Sequence, residues 1–274
     1  MILLSILMIY PFWHILMYSL SEIHLAMNGG IFLWARGFTL DTYKTVLRNP
    51  SIFQSFKISV TVTTLGSLFA TFFTATTAYP LAKKRFKARG ILSFYILFTM
   101  LFNGGMIPTY LLVKSLGLLD TLAALILPRA IGAWNIFIMR NFFANIPESL
   151  EESAKIDGAS DLLIFFKIIL PLSKAVLATI GLFVAVGYWN DFMSTVLYIQ
   201  SRSKWSLQAV LREILTTTEA ALSRHGLTVT HTQYLTTQSV ITANIVVTTV
   251  PILLVYPFLQ KHFVKGVMIG SIKG

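Results

Sequence analysis

The chain has 274 residues, of which 55% are hydrophobic and 12% are charged, and it carries a net charge of +11 with no cysteine. Soluble domains contain about twice that charged fraction, so the composition excludes an ordinary soluble protein and predicts an all-α polytopic membrane protein. The lack of cysteine excludes disulfides and thiolate metal sites. Cytoplasmic loops that face anionic lipid explain the positive charge, and the sequence contains no nucleic-acid-binding module.

Apolar stretches close to the length of about 20 residues that crosses a bilayer predict six transmembrane helices. They cover approximately residues 1–20, 54–80, 90–113, 122–143, 172–198 and 238–260. The first stretch lacks the basic start and small-residue cleavage site of a signal peptide. Because no separate soluble stretch or linker interrupts the pattern, we expect one transmembrane domain over residues 1–274.

Basic residues in short loops predict the orientation, since such loops remain in the cytoplasm. The loop after the second span carries Lys83, Lys84, Arg85, Lys87 and Arg89, and the tail 261–274 carries Lys261, Lys265 and Lys273. Both are therefore predicted to be cytoplasmic, together with the N-terminus and the loop 144–171. The loops 21–53 and 199–237 are predicted to lie outside, and an amphipathic stretch at 207–215 is expected along the membrane surface.

A polar island at residues 148–161 interrupts the apolar sequence. Glu148, Glu151 and Glu152 lie near a helix start, where negative charge is favourable, and we expect them to be exposed. Glu151 and Lys155 have the i,i+4 spacing of a surface ion pair. Asp157 and Gly158 predict a helix stop. Ser160 or Asp161 could then cap a second helix, residues 162–170, which is apolar nearly all round and is expected to be buried.

The same segment fits a spaced motif: E-A-A, three residues, G, nine residues, I-x-L-P. Here it reads Glu152-Ser153-Ala154, Gly158, Ile168 and Leu170-Pro171, with every spacing kept and Ser153 as the one departure. It resembles the cytoplasmic coupling loop of ABC importer permeases. The alternative is an ordinary amphipathic hairpin at the membrane surface.

Further segments carry the resemblance over most of the chain. They are Asn103 to Tyr110, Leu116 to Thr121, Gly181 to Asp191 and Phe263 to Gly274. Together they resemble the permease subunit of carbohydrate ABC importers of the maltose-importer type, and within it the branch for complex oligosaccharides such as alginate and other uronate-containing saccharides. The resemblance implies the type I ABC importer permease fold, in the bacterial cytoplasmic (inner) membrane.

That family also implies partners. A second homologous permease would pair with this chain, two ATPase subunits would bind ATP and Mg, and a soluble binding protein would deliver the carbohydrate, so no cofactor is expected on this chain itself. By position in the motif, the ATPase-coupling residues are Glu151, Glu152, Ser153, Ala154, Asp157, Gly158, Leu170 and Pro171. The tail that reaches between the ATPases would be Gly270, Ser271, Ile272, Lys273 and Gly274. The loop 199–237 would enter the cleft of the binding protein.

Catalytic patterns are absent from the sequence. It contains no phosphate-binding G-x-x-x-x-G-K-[ST] loop, no H-E-x-x-H and no G-x-S-x-G. His225 and His231 share a polar loop without a metal-ligand pattern. We therefore expect a transport subunit rather than an enzyme, and no metal. The alternatives are a secondary transporter and a membrane-embedded assembly or enzyme component.

Candidate sugar contacts are polar and aromatic residues within the spans, because intramembrane polar residues are costly and usually functional. The best cluster is Tyr188, Trp189, Asn190 and Asp191, followed by Trp134 with Asn135, and by Asn244. The alternative for the cluster is the aromatic belt at the membrane interface. Arg129 could pair with Asp120 or with an anionic sugar.

Overall fold

A computed structural model describes residues 2–26, 29–224, 238–251 and 253–254. Its described residues form helices joined by turns, with an isolated β-bridge between Ser21 and Phe38. The helices are α1 (Ile2–Ser19), α2 (Ile23–Ala26), α3 (Asp41–Arg48), α4 (Pro50–Ala82), α5 (Arg89–Leu101), α6 (Met106–Ser115), α7 (Leu122–Ile126), α8 (Ala133–Ala144), α9 (Glu148–Ile156), α10 (Asp161–Ile164), α11 (Leu170–Leu172), α12 (Lys174–Trp189), α13 (Met193–Tyr198), α14 (Leu207–Arg224) and α15 (238–251). The predicted all-α class is confirmed.

The described residues fall into two compact units. One holds those of 1–58, 191–195 and 201–254, and the other holds 59–190 and 196–200. In the first unit, the end of α1 packs Met17 and Tyr18 against Ala26 and Phe32. The Ser21 hydroxyl donates to the Met17 carbonyl at 2.7 Å and thereby satisfies a carbonyl at the end of α1.

The second unit is built on one apolar core. It combines the C-terminal half of α4 with α8, the segment from α10 to Ile169, and α12. Its buried members include Ala78, Met139, Phe143, Ile164, Ile169 and Ile180, each less than 1% exposed. Ala154 and Ala159 of the polar island therefore pack against the same core as α4, α8 and α12, which lie in predicted transmembrane spans.

The second predicted span, 54–80, corresponds to α4, which is long and apolar enough to cross a bilayer by itself. Three further pairs of helices are long and apolar enough only when taken together, and each pair is bent at a short break. α5 and α6 are bent by 116°, Leu122–Arg129 and α8 by 54°, and Asp161–Leu172 and α12 by 80°. Over the described part of the chain this gives one spanning helix, or up to four if each bent pair is one span, so six spans remain a prediction.

The prediction of one continuous helix over residues 90–113 is wrong, because α5 ends at Leu101 and α6 begins at Met106. The Asn103 side chain accepts a hydrogen bond from the Gly105 N–H at 2.7 Å, and Gly105 has φ +88°. That local turn competes with the helix and ends α5, since asparagine and glycine favour such turns. The predicted span 172–198 likewise consists of α12 followed, after a turn at Asn190, by α13.

Gly66 on α4 is packed against the ring of Tyr188 on α12. A Cβ at Gly66 would lie 2.8 Å from a Tyr188 ring carbon. The Tyr188 hydroxyl donates to the Ile126 carbonyl at 2.8 Å, and the residue is 5% exposed, so the ring has little freedom to move.

We expect Gly66→Ala to lower the thermal stability of the detergent-solubilised protein. Overpacking costs about 1–3 kcal/mol, more than the gain of about 1 kcal/mol in helix propensity. Gly90→Ala is the matched control, because nothing lies within 4 Å of its Cβ position. Equal melting temperatures for the two variants would contradict this close packing.

Candidate functional site

The coupling segment, residues 147–171, begins with α9 and turns at Gly158. Gly158 has φ +81°, a left-handed conformation that favours glycine. Its N–H donates to the Lys155 carbonyl and that of Ala159 donates to the Ala154 carbonyl, each at 2.9 Å. This pair of bonds is a Schellman motif, and it satisfies the last carbonyls of α9. The predicted helix stop is confirmed.

Ser160 caps the next helix, as one of the two predicted alternatives. Its Oγ accepts from the Leu163 N–H at 3.3 Å. α10 continues through a π-helical turn, Phe165–Ile169, into α11, which contains Pro171. Proline cannot donate a backbone hydrogen bond, and the chain then bends by 80° into α12.

A buried ion pair joins α9 to the end of α4. The Lys83 ammonium donates to the Glu151 carboxylate, and their side chains are only 9% and 8% exposed. Lys83 also lies 5.1 Å from the centre of the Tyr79 ring. The expected exposed pair between Glu151 and Lys155 is thus wrong: the local spacing allowed it, but Glu151 faces the protein and takes a partner from another helix.

Lys155 pairs instead with Asp161, at 3.2 Å across the Gly158 turn. Asp161 also accepts from Arg85 at 2.6 Å. This hydrogen bond raises the pKa of the Arg85 guanidinium above its ordinary value. These side chains are between a third and three-fifths exposed, so each pair contributes about 0–1 kcal/mol. Their main effect is to fix the orientation of the turn, because their contribution to the free energy of folding is small.

The exposed surface of the segment is both acidic and apolar. Glu148, Glu152 and Asp157 are exposed, and so are Ile156 (87%), Leu162 (71%), Leu163 (49%) and Phe166 (48%). Complete burial of residues 162–170 was therefore wrongly expected, since only one side of this helix joins the core. Large apolar groups exposed beside charges are typical of a protein-binding surface.

The remaining predicted coupling residues differ in their exposure to solvent. Ser153 is exposed, whereas Ala154 and Leu170 are half-buried and pack against the core. A cleft of about 400 Å³ opens beside the segment, between Thr76, Tyr79 and Pro80 of α4, Lys83, Arg85 and Phe86, and Asp161, Leu162 and Phe165. The sequence alone did not assign Lys83 and Tyr79 to this site, although Lys83 belongs to the basic cluster in the loop after the second span.

The residues of the best sugar-path cluster differ in burial and in the unit to which they belong. Tyr188 and Trp189 are buried in the second unit, at 5% and 6% exposure, and Asn190 is exposed. Asp191 belongs to the first unit, where its carboxylate accepts from the Ser194 N–H at 3.2 Å. Asn244, also in the first unit, donates to the Val240 carbonyl of its own helix at 2.8 Å.

A second cavity lies within the second unit, where the 3₁₀ turn Leu127–Arg129, α8 and α12 meet. It has a volume of about 270 Å³ and is lined by Arg129, Asn135, Phe183, Val184, Gly187 and Tyr188. Asn135 and Tyr188 were predicted as path residues, and the fold brings them to the same cavity. Trp134, in contrast, is 63% exposed and does not line it.

Several predicted positions lie outside the described residues: the tail Gly270 to Gly274, His225, His231, and parts of the loop 199–237 and of the sixth span. Within the described ranges, the stretch 207–215 forms the start of α14, with Leu207, Ala209 and Val210 buried. No group of three or more histidine, aspartate or glutamate side chains in those ranges could hold a metal ion.

Comparison with known proteins gives relatives along the whole chain. Protein LplC of Bacillus subtilis (strain 168) is 49% identical over 272 residues, covering 97% of this chain and 90% of the relative. The polygalacturonan/rhamnogalacturonan transport system permease protein YtcP of the same strain is 45% identical over 277 residues, covering 100% and 96%. The crystal structure of a bacterial ABC transporter involved in the import of the acidic polysaccharide alginate contains a chain with a TM-score of 0.85 and 32% identity, covering 95% and 92%.

This likeness confirms the resemblance first seen in the motif from Glu152 to Pro171, and the chain has the ABC importer permease fold. Residues 68–269 match a family model described as the binding-protein-dependent transport system inner membrane component. The chain therefore belongs to the inner membrane permeases of binding-protein-dependent ABC transport systems, which are transport subunits and not enzymes.

Proposed function

We propose that this chain is one of two permeases in an ATP-driven importer that moves an oligosaccharide, with alginate-like saccharides included, from a soluble binding protein into the cytoplasm. Both termini lie in the cytoplasm in this proposal. The observation that carries it is the geometry of the coupling segment. Its hydrogen-bonded turn packs beside the apolar core and leaves an acidic and apolar surface exposed. The similarity to YtcP, a polygalacturonan/rhamnogalacturonan permease, and to the alginate transporter supports a saccharide as cargo.

Two ATPase subunits are the proposed partners of the coupling segment, and they would carry ATP and Mg. Exposed acidic Glu152 offers a charge contact, while Ile156 and Leu162 offer apolar area that would be costly to leave in water. A second permease is the proposed partner within the membrane. α5, which has no buried residue in this chain, supplies apolar surface for that partner or for lipid.

The buried Lys83–Glu151 pair suggests how force is transmitted. It fixes α9 to the end of α4, while Phe165 and Ile169 fix the second half of the segment to the core. When the ATPases close, the coupling segment and these helices would move as one body. ATP binding would thereby shift the population between inward-open and outward-open states.

The experiment that tests this function is reconstitution. The chain is co-expressed with the genes next to its own, purified, and placed in proteoliposomes with candidate binding proteins and a panel of neutral and acidic oligosaccharides. We expect an ATPase and a second permease to co-purify, and saccharide uptake to require ATP. A chain that purifies alone and moves solute without ATP would overturn the proposal.

Glu152→Lys should weaken association with the ATPase subunits while membrane insertion is retained. Glu152 is exposed, so the change leaves the core intact and only reverses the charge offered to the partner. The measurement is the amount of ATPase that co-purifies with the membrane-inserted chain. Glu22→Lys is the matched control, because it makes the same change at an exposed position outside the coupling segment and should leave ATPase recovery unchanged. Equal ATPase recovery from the Glu152 variant and the wild type would exclude this role for Glu152.

The Lys83–Glu151 pair should show strong coupling in a double-mutant cycle. Lys83→Met or Glu151→Leu leaves one buried charge without its partner, which costs about 3–5 kcal/mol, whereas the double variant removes both charges and should recover most of that loss. The measurements are the thermal stability of each purified variant and the saccharide-stimulated ATPase rate of its complex. Additive losses in the double variant would show that the two side chains act independently.

A further inference from the structure

We propose that the cavity between the 3₁₀ turn Leu127–Arg129, α8 and α12, which we call the Arg129 cavity, binds a carboxylate-bearing sugar ring of the saccharide as it crosses the membrane. Its residues are Arg129, Asn135, Phe183, Val184, Gly187 and Tyr188. The inference rests on the proposed function and deepens it, since it assigns acidic, uronate-type saccharides as the substrate class and places a contact on this subunit.

The backbone at this cavity is interrupted. The 3₁₀ turn Leu127–Arg129 ends α7, and α8 begins at Ala133 after a bend of 54°. Non-helical backbone at membrane depth is tolerated where protein buries it or where it lines a water-filled cavity. Such breaks in transporters place polar groups where a substrate passes.

Arg129 supplies the chemistry for a carboxylate. An arginine within a membrane span is costly and faces a cavity or a partner. Its guanidinium is planar, always charged, and binds carboxylates in a two-point geometry. Arg129 already contacts the Tyr188 ring, with its guanidinium carbon 5.8 Å from the ring centre. With five N–H donors, the group can serve a ligand in addition to its contacts within the chain.

Gly187 of α12 lies beside the guanidinium. The Arg129 Nη2 atom lies 3.5 Å from the position that a Cβ at Gly187 would occupy, which is an ordinary van der Waals distance. An alanine would therefore fit at this position, whereas a larger side chain would fill the space beside the charge.

The rest of the lining suits a sugar ring. Asn135 is half-buried and offers both amide donors and a carbonyl acceptor for hydroxyl groups. Phe183 and Tyr188 offer aromatic surface for the apolar side of a ring, and none of the six lining residues is acidic. The volume of about 270 Å³ lies just below the range of roughly 300–1,000 Å³ typical of small-molecule pockets. The cavity therefore fits one ring of a chain rather than a whole oligosaccharide.

The test compares Arg129→Gln with the wild type in the reconstituted complex. Uptake is measured for an oligouronate and for the same oligosaccharide after its carboxyl groups have been reduced to alcohols. We expect the variant to lose at least tenfold in oligouronate uptake, mainly through a higher KM, and to keep the uptake of the reduced saccharide. Arg129→Lys should retain part of the oligouronate uptake, since it keeps the charge but not the two-point geometry.

Asn135→Asp provides a second variant of nearly unchanged shape. It adds a negative charge to the cavity, so oligouronate uptake should fall while reduced-saccharide uptake persists. Asn141→Asp is the matched control, since Asn141 is an exposed residue of the same helix that does not line the cavity. Each variant is first checked for co-purification with its partners.

Equal losses for both saccharides, or no loss for either, in Arg129→Gln and Asn135→Asp would overturn the assignment of this cavity. A wild-type complex that imports only neutral saccharides would overturn the acidic substrate class and leave the proposed function in place. A wild-type complex without any ATP-dependent saccharide uptake would instead overturn the proposed function itself.

Discussion

The buried pair of Lys83 and Glu151 is the interaction that holds the coupling segment to α4, and the proposed coupling depends on it. Both charges are removed from water, at 9% and 8% exposure, so neither can be separated from the other without a large desolvation cost. The pair fixes the first coupling helix to α4. The apolar anchors Ile164, Phe165 and Ile169 fix the second half of the segment to the same core. With both halves attached, a partner that moves the segment must also move α4.

Two helices, α8 and α12, connect the core beneath the coupling segment with the Arg129 cavity. α8 contributes Met139 and Phe143 to that core, and Asn135 to the cavity. Asn135 and Phe143 are eight positions apart, which corresponds to about 12 Å of helix. α12 likewise contributes Ile180 to the core and Tyr188 to the cavity. Because both are continuous helices in one packed unit, the proposed motion of the segment would reach the cavity without a flexible joint in either helix.

Features that depend on neighbouring residues could be predicted from the sequence, and features that depend on distant ones could not. The turn at Gly158 and the cap at Ser160 follow from local backbone preferences. The break at Asn103 to Gly105 is also local, but the apolar residues on both sides of it predict a continuous span. The partner of Glu151 lies 68 residues away, so only tertiary packing could select Lys83 over Lys155. The contact between Arg129 and the Tyr188 ring could not be predicted for the same reason, since the two residues are distant in the chain.

The most direct test of this account measures the distance between α9 and the end of α4 during the transport cycle. The chain contains no cysteine, so cysteines introduced at the exposed positions Lys84 and Ser149 can carry spin labels in the assembled complex. The account predicts the same distance distribution without nucleotide and with ATP bound, because the Lys83–Glu151 pair holds the two elements together. A distribution that shifts when ATP binds would show that the coupling segment moves independently of α4 and would contradict the account.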